Sequence, residues 1–562
     1  MIRARLLTLI CLLVCMVFVL AGCAYHGSSS QKSISVQAVE VSDQYEVKRL
    51  APETPFPGVN GAAIGTGGDL YLAHTGNGMI TRIDLDTMEP RPFVPPYGGT
   101  FIVDDVASDD RGNLYATGTT PLVGEVYRIN ENGVKTVIAS GMAAPNGIEY
   151  NDRTGRLFVS ECFQGNRIYE VDPRGEEPAE VLVPEDVVAV PEGFDFHPET
   201  NHLIVPDLGT GKILSIDPDT GSISTVAKDF DSPIALTIGP EGMVYIPELT
   251  GAVYRMSPDG SERQKIAQLR PGLDNVAVTE QGRVFVTSYW EATVFEVSAD
   301  GSGEPKRLFP GGPNQPMGIV SQGDELLMAD AIMVRSFRDG SFRQSKLNAW
   351  ASHEMPLPMS LTRGPGERVV WTDCVNGALA MGDPDSGEVK MLAGGLSRPV
   401  SALMSPSGKR IFVAEYGSDR ITAVSLADGS KSVLAKNLEG PLALAMMEGT
   451  LYVAEAGAGR ISSVDARTGD KEVLVSSLVG KPGALTGDGQ GNLLVLDGAG
   501  GRLLRIDPET LSVSMVAADL PVQYATVGSY PPVEFPLPME VTDSGDIYLP
   551  TAKRGMLMLE KR

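Results

Sequence analysis

Cysteine and histidine are scarce here: the 562 residues include five of each. Cys11, Cys15 and Cys23 lie near the N-terminus, so only Cys162 and Cys374 remain for the body of the chain. Two cysteines make no disulfide framework, and both are expected to be separate buried thiols. No His or Cys cluster exists, which disfavours a zinc site. Beyond the first twenty residues there is no apolar run long enough to span a bilayer. Basic residues are also short, 46 Lys and Arg against 71 Asp and Glu, for a formal net charge of −25. So acidic a surface repels nucleic acid and anionic lipid. It suits an exported body, or one that attracts cations.

The N-terminus reads as an export signal. Arg3 and Arg5 form a basic start, and residues 6–20 an apolar stretch too short and too early for a stable span. Leu20-Ala21-Gly22-Cys23 resembles a bacterial lipobox, which implies cleavage before Cys23 and lipidation of that cysteine. An ordinary signal peptide with small-residue cleavage is the alternative. A Ser-rich tether follows at 28–30, and Ala24 stands where an aspartate would resemble an inner-membrane retention signal. The expectation is an outer-membrane lipoprotein of the bacterial cell envelope, held to the membrane by its acyl chains alone. Loss of Arg3 and Arg5 takes the net charge to −27.

What the chain does have is a repeat. Twelve units run from Asn60 to Met539, most about 42 residues long. Each begins with a short apolar strand, often after proline, as in Pro145-Asn146-Gly147-Ile148 and Pro441-Leu442-Ala443-Leu444. A glycine turn leads to a second strand such as Phe158-Val159-Ser160-Glu161. The third often ends in Ile-Asp or Val-Asp, as at Ile216-Asp217, and an exposed fourth strand closes the unit. Four strands at this period mark a β-propeller. Twelve blades exceed one ring, so the fold class expected is all-β, two tandem six-bladed propellers. The expected layout is a signal over 1–22, a lipidated cysteine and tether over 23–44, a first propeller over 45–298, a linker over 299–303 and a second propeller over 304–562. Segments 46–50 and 306–309 share a Lys-Arg-Leu signature, and the chain ends after a third strand. The phase therefore predicts a swap: 46–50 completing the blade that begins at Asp274, and 306–309 completing the blade that begins at Met539, so that no edge is left open.

Aligning the residue at the mouth of each first strand locates the candidate chemistry. In the first ring the series is Asn60, Asp104 or Asp105, Asn146, Glu192, Ile234, and Asp274 or Asn275. Five oxygen-bearing blades of six suit a hard cation such as calcium. Carboxylates this close on a narrow channel repel unless a cation or protons intervene. Asn and Asp before a strand also cap turns, which accounts for single residues but less well for five of six. In the second ring the same positions read Met317, Met359, Val400, Leu442, Gly483 and Met539, a packed plug or an apolar pocket.

The ends of the second strands carry His74, Glu161, Asp207, Glu248, Asp330, Asp373, Glu415, Glu455 and Asp497. Acid, turn and Arg, as in Glu415 and Arg420, reads as a repeated hairpin ion pair. His74 replaces the acid in the first blade; it is a candidate general base, with a hydrogen-bonded structural role as the alternative. An insertion over 521–536 carries Tyr524, Tyr530 and Phe535, and the phase sets it over the mouth of the second ring, as a lid or a plug.

Pro145-Asn146-Gly147-Ile148 followed by Gly155-Arg156-Leu157-Phe158-Val159 resembles the third-blade motif of the gluconolactonase/regucalcin family and its paraoxonase and strictosidine-synthase-like relatives. Leu273-Asp274-Asn275-Val276 resembles the Asp-Asn pair in the last blade of paraoxonases. The resemblance covers the first ring and implies a six-bladed propeller with a divalent metal, usually calcium, in its channel. It implies Asn146, Asp274 and Asn275 as ligands, with Asp104 or Asp105 and Glu192 at positions where relatives use Asn or Asp. Asn60 departs from the family's Glu. The second ring looks like generic NHL-type repeats. Two functions follow as expectations: a metal-dependent hydrolase of a lactone or ester, or a non-catalytic scaffold presenting loops to an envelope protein or polymer.

Overall fold

The computed structural model describes residues 40–562 except 76–77, 96–101, 120–123, 163–164, 331, 349–354, 477–479, 523–525, 528–532, 535–536 and 552–554. The signal, Cys23 and the tether up to residue 39 lie outside the described residues, as do Tyr524, Tyr530 and Phe535; Glu40–Val41, expected in the tether, is instead a short strand against Val513–Ala518. Of the insertion, Thr526–Val527 and Val533–Glu534 form a two-stranded ribbon. No helix among the described residues is long and apolar enough to cross a membrane.

Each repeat folds as an antiparallel meander. The Ile-Asp ending has a local cause: the carboxylate of Asp84 accepts from the backbone N–H of Asp86 and Thr87, and Asp217 from Asp219 and Thr220. Asp383, Asp465 and Asp507 do the same, and these N–H bonds hold all five carboxyls below the usual range. The aspartate thus fixes the hairpin between third and fourth strands. The glycine that ends some of these turns has a packing reason too. Gly469 has φ 81°, and a Cβ there would sit 1.9 Å from the Leu434 carbonyl oxygen of the preceding sheet.

The chain divides into two compact units, Thr54–Asn314 and Gln315–Arg562 joined by the segment that ends at Glu53. Six sheets of four or five strands fall in each unit among the described residues. In the first unit the first strands neighbour one another in sequence order, and Leu273–Val278 of the last lies beside Val59–Ile64 of the first. Phe56, Val59, Leu70 and Leu72 of the first sheet share one core with Ala277, Phe285 and Val294 of the last. In the second unit the cycle closes between Pro316–Gln322 and Glu540–Val541. Radially repeated four-stranded sheets make the chain a β-propeller protein.

The expected swap does not occur. Lys306–Arg307 pairs with Thr293–Val297 of its own sheet, so the first unit is continuous in sequence. Residues 299–303 are not a linker but the turn of that hairpin, where Asp300 accepts from Ser298 and from the N–H of Ser302. Tyr45–Ala51 lies against Met556–Lys561 and supplies the outer strand of the last sheet of the second unit. Physically, a fourth strand a few residues from its third costs far less closure entropy than one fetched from another unit. Only the sheet that lacks a fourth strand of its own recruits a distant one. Ala51 and Met556 then pack with Ile319, Leu326, Met328 and Phe337 of the unit's first sheet. The first unit is therefore inserted between the closing strand and the rest of the second.

Candidate functional site

The first strands of the first unit carry a bulge at Val59–Ala62, Val103–Val106, Pro145–Ile148 and Leu273–Val276. Each bulge admits two successive residues at the mouth where a regular strand presents one. That is why Asp104 and Asp105, and Asp274 and Asn275, both contribute.

Two layers result. In the outer one the Asn60 amide donates to Asp104 at 3.0 Å. Glu192 is 2% exposed, and its Oε1 has no hydrogen-bond partner among the described residues. Burial raises its pKa well above the ordinary value, with Asp274, Asp104 and Asp105 adding repulsion. Asp274 is raised well above its usual value by burial and then by Asp104 and Asp105. Burial pushes Asp104 up to about 7. Asn146 and Ile234 complete the series, Ile234 buried and apolar.

In the inner layer Asn275 donates from Nδ2 to Asp105 Oδ1 at 2.9 Å, across the strand of Gly61. Burial takes Asp105 up to about 7, offset in part by N–H bonds from Val106 and Ile148. Threonines fasten both layers. Thr117 Oγ1 accepts from the Asp105 N–H and donates to the Asn146 carbonyl; Thr287 does the same between Asn275 and Asn60. The backbone carbonyls of Asn60 and Asn146 are thereby engaged, leaving their side chains for the mouth. A Cβ on Gly61 would lie 2.5 Å from Asp105 Oδ1. Gly61→Ala should therefore break the Asp105–Asn275 bond and lower the stability of the first unit by about 2 kcal/mol or more, the worth of a buried charged hydrogen bond. A melting temperature within a degree of wild type would refute that geometry.

Below the mouth the channel opens into a cavity of about 140 Å³ lined by Asp105, Glu149, Asp195, Thr237 and Asn275, among others. Burial, then Asp195 and Asp105, raises Glu149 well above its ordinary value, and burial takes Asp195 up to about 6. Neither was singled out from the sequence. The available signal was their offset, three residues on from Asn146 and from Glu192 in adjacent repeats. Mouth and cavity thus hold six carboxyl groups, and no lining side chain among the described residues is basic. No three His, Cys, Asp or Glu side chains among the described residues form a ready metal cage. The carboxyls share the mouth with the amides of Asn60, Asn146 and Asn275, and unscreened carboxylates keep apart.

His74 is fully buried, its ring stacked on Phe56 at 5.8 Å and its Nε2 2.9 Å from Thr81 Oγ1. The structure seats it in the packing between first and last sheets rather than among the carboxylates.

No family model matches the chain, and no curated protein matches it. Similar solved structures include a GH74 xyloglucanase from Xanthomonas campestris, 12% identical over 92% of this chain and 100% of that one, TM-score 0.41. A streptogramin B lyase is 16% identical over 51% and 95%, TM-score 0.37. A chain of a nidogen/laminin complex is 18% identical over 39% and 84%, TM-score 0.35. Likenesses this distant say nothing about the site.

The acids at the second-strand ends prove architectural. Glu415 and Glu455 accept from Arg420 and Arg460, and each also takes an N–H from the incoming loop, of Ser397 and of Glu439. Burial raises both, and these bonds outweigh it, so both end below the ordinary value. Asp207, Glu248 and Asp373 hold loops in the same way. Cys162 and Cys374 are buried thiols that form no disulfide.

Proposed function

We propose that the two units are six-bladed propellers and that the first is a metal-dependent hydrolase of lactones or esters, exported and lipid-anchored through Cys23. Asp104, Asp274 and Glu192, with the amide oxygens of Asn60 and Asn146, would hold a divalent cation, calcium by the chemistry of an all-oxygen set; Asp105 and Asn275 support them from beneath. The observation that carries this reading is Glu192 Oε1, buried, unpartnered and set among carboxylates. An orphaned buried acceptor is costly, and a cation satisfies it. When bound, such an ion polarises a carbonyl and stabilises the oxyanion that forms. A carboxylate of the mouth would accept the proton of the attacking water. His74, packed on Phe56, is not suited to that role.

A second reading is a non-catalytic scaffold of the envelope. It is favoured by the Asn60 amide, which is engaged with Asp104 where the resembling family has a Glu.

Metal content of the purified full chain, then a lactone and ester panel with and without chelator, separates the two. Chelator-sensitive turnover that survives His74→Gln supports the hydrolase. Bound metal without turnover leaves the scaffold, and absence of both sinks the site. Labelling with radioactive palmitate, lost in Cys23→Ser, tests the anchor.

A further inference from the structure

The second unit has its own cavity, about 420 Å³, lined mainly by its first strands. A small-residue layer, Gly318, Ser360, Ser401, Ala443 and Ala484, gives it width at the level where the first unit is filled by Asp105 and Asn275. Leu361, Leu444, Leu485, Met404 and Met539 supply apolar wall. Thr362, Ser401 and Thr486 also line it, and none of the three hydroxyls has a protein partner among the described residues. One end is charged, and its arginine is already paired. Glu540 accepts from the Ser321 N–H at 2.9 Å and from Arg363 at 3.2 Å, and Arg363 also donates to Ser321 Oγ.

We propose that this channel binds an uncharged amphipathic small molecule, an alkyl or aryl body ending in a hydroxyl or amide. The volume fits a small ligand, and a lining that mixes apolar side chains with many polar groups suits an amphipathic one. Charge excludes the obvious competitor. A carboxylate would meet Arg363 already paired, with Glu540 and Asp543 beside it. The free hydroxyls offer hydrogen bonds to a neutral end group instead, and the methionines adapt to its body.

The test titrates the full chain with 1-hexanol through 1-dodecanol and the matching carboxylates by calorimetry. Saturable binding is expected, tightening about fourfold per methylene until the chain outgrows the channel, with each carboxylate at least tenfold weaker than its alcohol. Ser401→Leu with Ala484→Leu fills the lumen and should weaken binding tenfold or more. Methyl signals of Met317, Met404 and Met539 provide a readout in the unmutated chain, and they should shift on titration. Carboxylates binding as well as alcohols overturn the ligand class. No length dependence, unchanged binding in the filled variant, or silent methionine methyls overturn the site.

Discussion

Deleting residues 40–53 from the full chain abolishes the cooperative melting of the second unit and leaves that of the first unchanged. The strand Tyr45–Ala51 covers Met556–Lys561 along its length, and Tyr45 and Ala51 are 2% and 3% exposed. Tyr45 packs with Leu494, Leu503, Leu549 and Leu559, and Ala51 with Met328 and Met556. At roughly 1.5–3 kcal/mol per large side chain that loses its cover, the deletion costs about 5 kcal/mol or more. That is comparable to the whole stability of a typical domain. It also exposes an apolar edge strand, which favours aggregation. Glu40–Val41, which adds to Val513–Ala518, goes with it. The first unit closes on itself through Lys306–Arg307 and the shared core of its first and last sheets, so its calorimetric transition should stay within a degree or two. Fusing the same strand after Arg562 should restore the second transition. Loss of both transitions together would show that the units do not unfold separately.

Asn146→Ala combined with Asp274→Ala removes the calcium-dependent rise in melting temperature. With calcium at a hundredfold over its dissociation constant, wild type gains about 2.7 kcal/mol, or roughly 5–10 °C for a unit of this size. The double variant should gain nothing, and indifference of the wild type to calcium and chelator alike would end the metal reading. The pH dependence carries a sign. Burial pushes Asp104 and Asp105 up to about 7, from an ordinary 3.8. The native state therefore holds more protons than the unfolded state between those limits. Without calcium, the stability these two groups contribute is greatest near the lower limit and falls as pH rises to about 7, and Glu192, Asp274 and Glu149, raised in the same direction, add to the fall. Calcium displaces those protons, so its stabilising effect should grow over the same window. Stability that rises with pH in chelator, measured by urea melts from pH 4 to 8, would contradict the burial of these carboxyls. Glu192→Gln should flatten the loss, because it removes one of the carboxyls whose proton affinity folding raises.

The repeat was legible because every blade solves the same local problem. The Ile-Asp ending caps a turn, glycine fits beneath a neighbouring carbonyl, and second strands are buried along their whole length. These are contacts within one hairpin or between adjacent blades, so they recur at a fixed period in the sequence. The polar series at the first mouth was legible for the same reason, as an exception to that period; its Met-rich counterpart marked the second cavity. What the sequence could not decide was closure and depth. Segments 46–50 and 306–309 carry the same Lys-Arg-Leu signature, and nothing local distinguishes an outer strand that pairs with its own hairpin from one that crosses to another sheet. The pairing of Tyr45 with Lys561, more than 500 residues apart, is settled by which sheet lacks a fourth strand. His74 occupies the acid's place in the repeat, yet its ring stacks on Phe56 in the buried packing. Glu149 and Asp195 belong to ordinary-looking strands, and only convergence of several first strands on one axis brings them beside Asp105. The sequence by itself determined the blade, its turns and the polarity of each mouth, since those follow from local periodicity. Tertiary structure alone decided which strands close each ring and which carboxyls share a channel, because both depend on distances between residues that the chain separates by one or more blades.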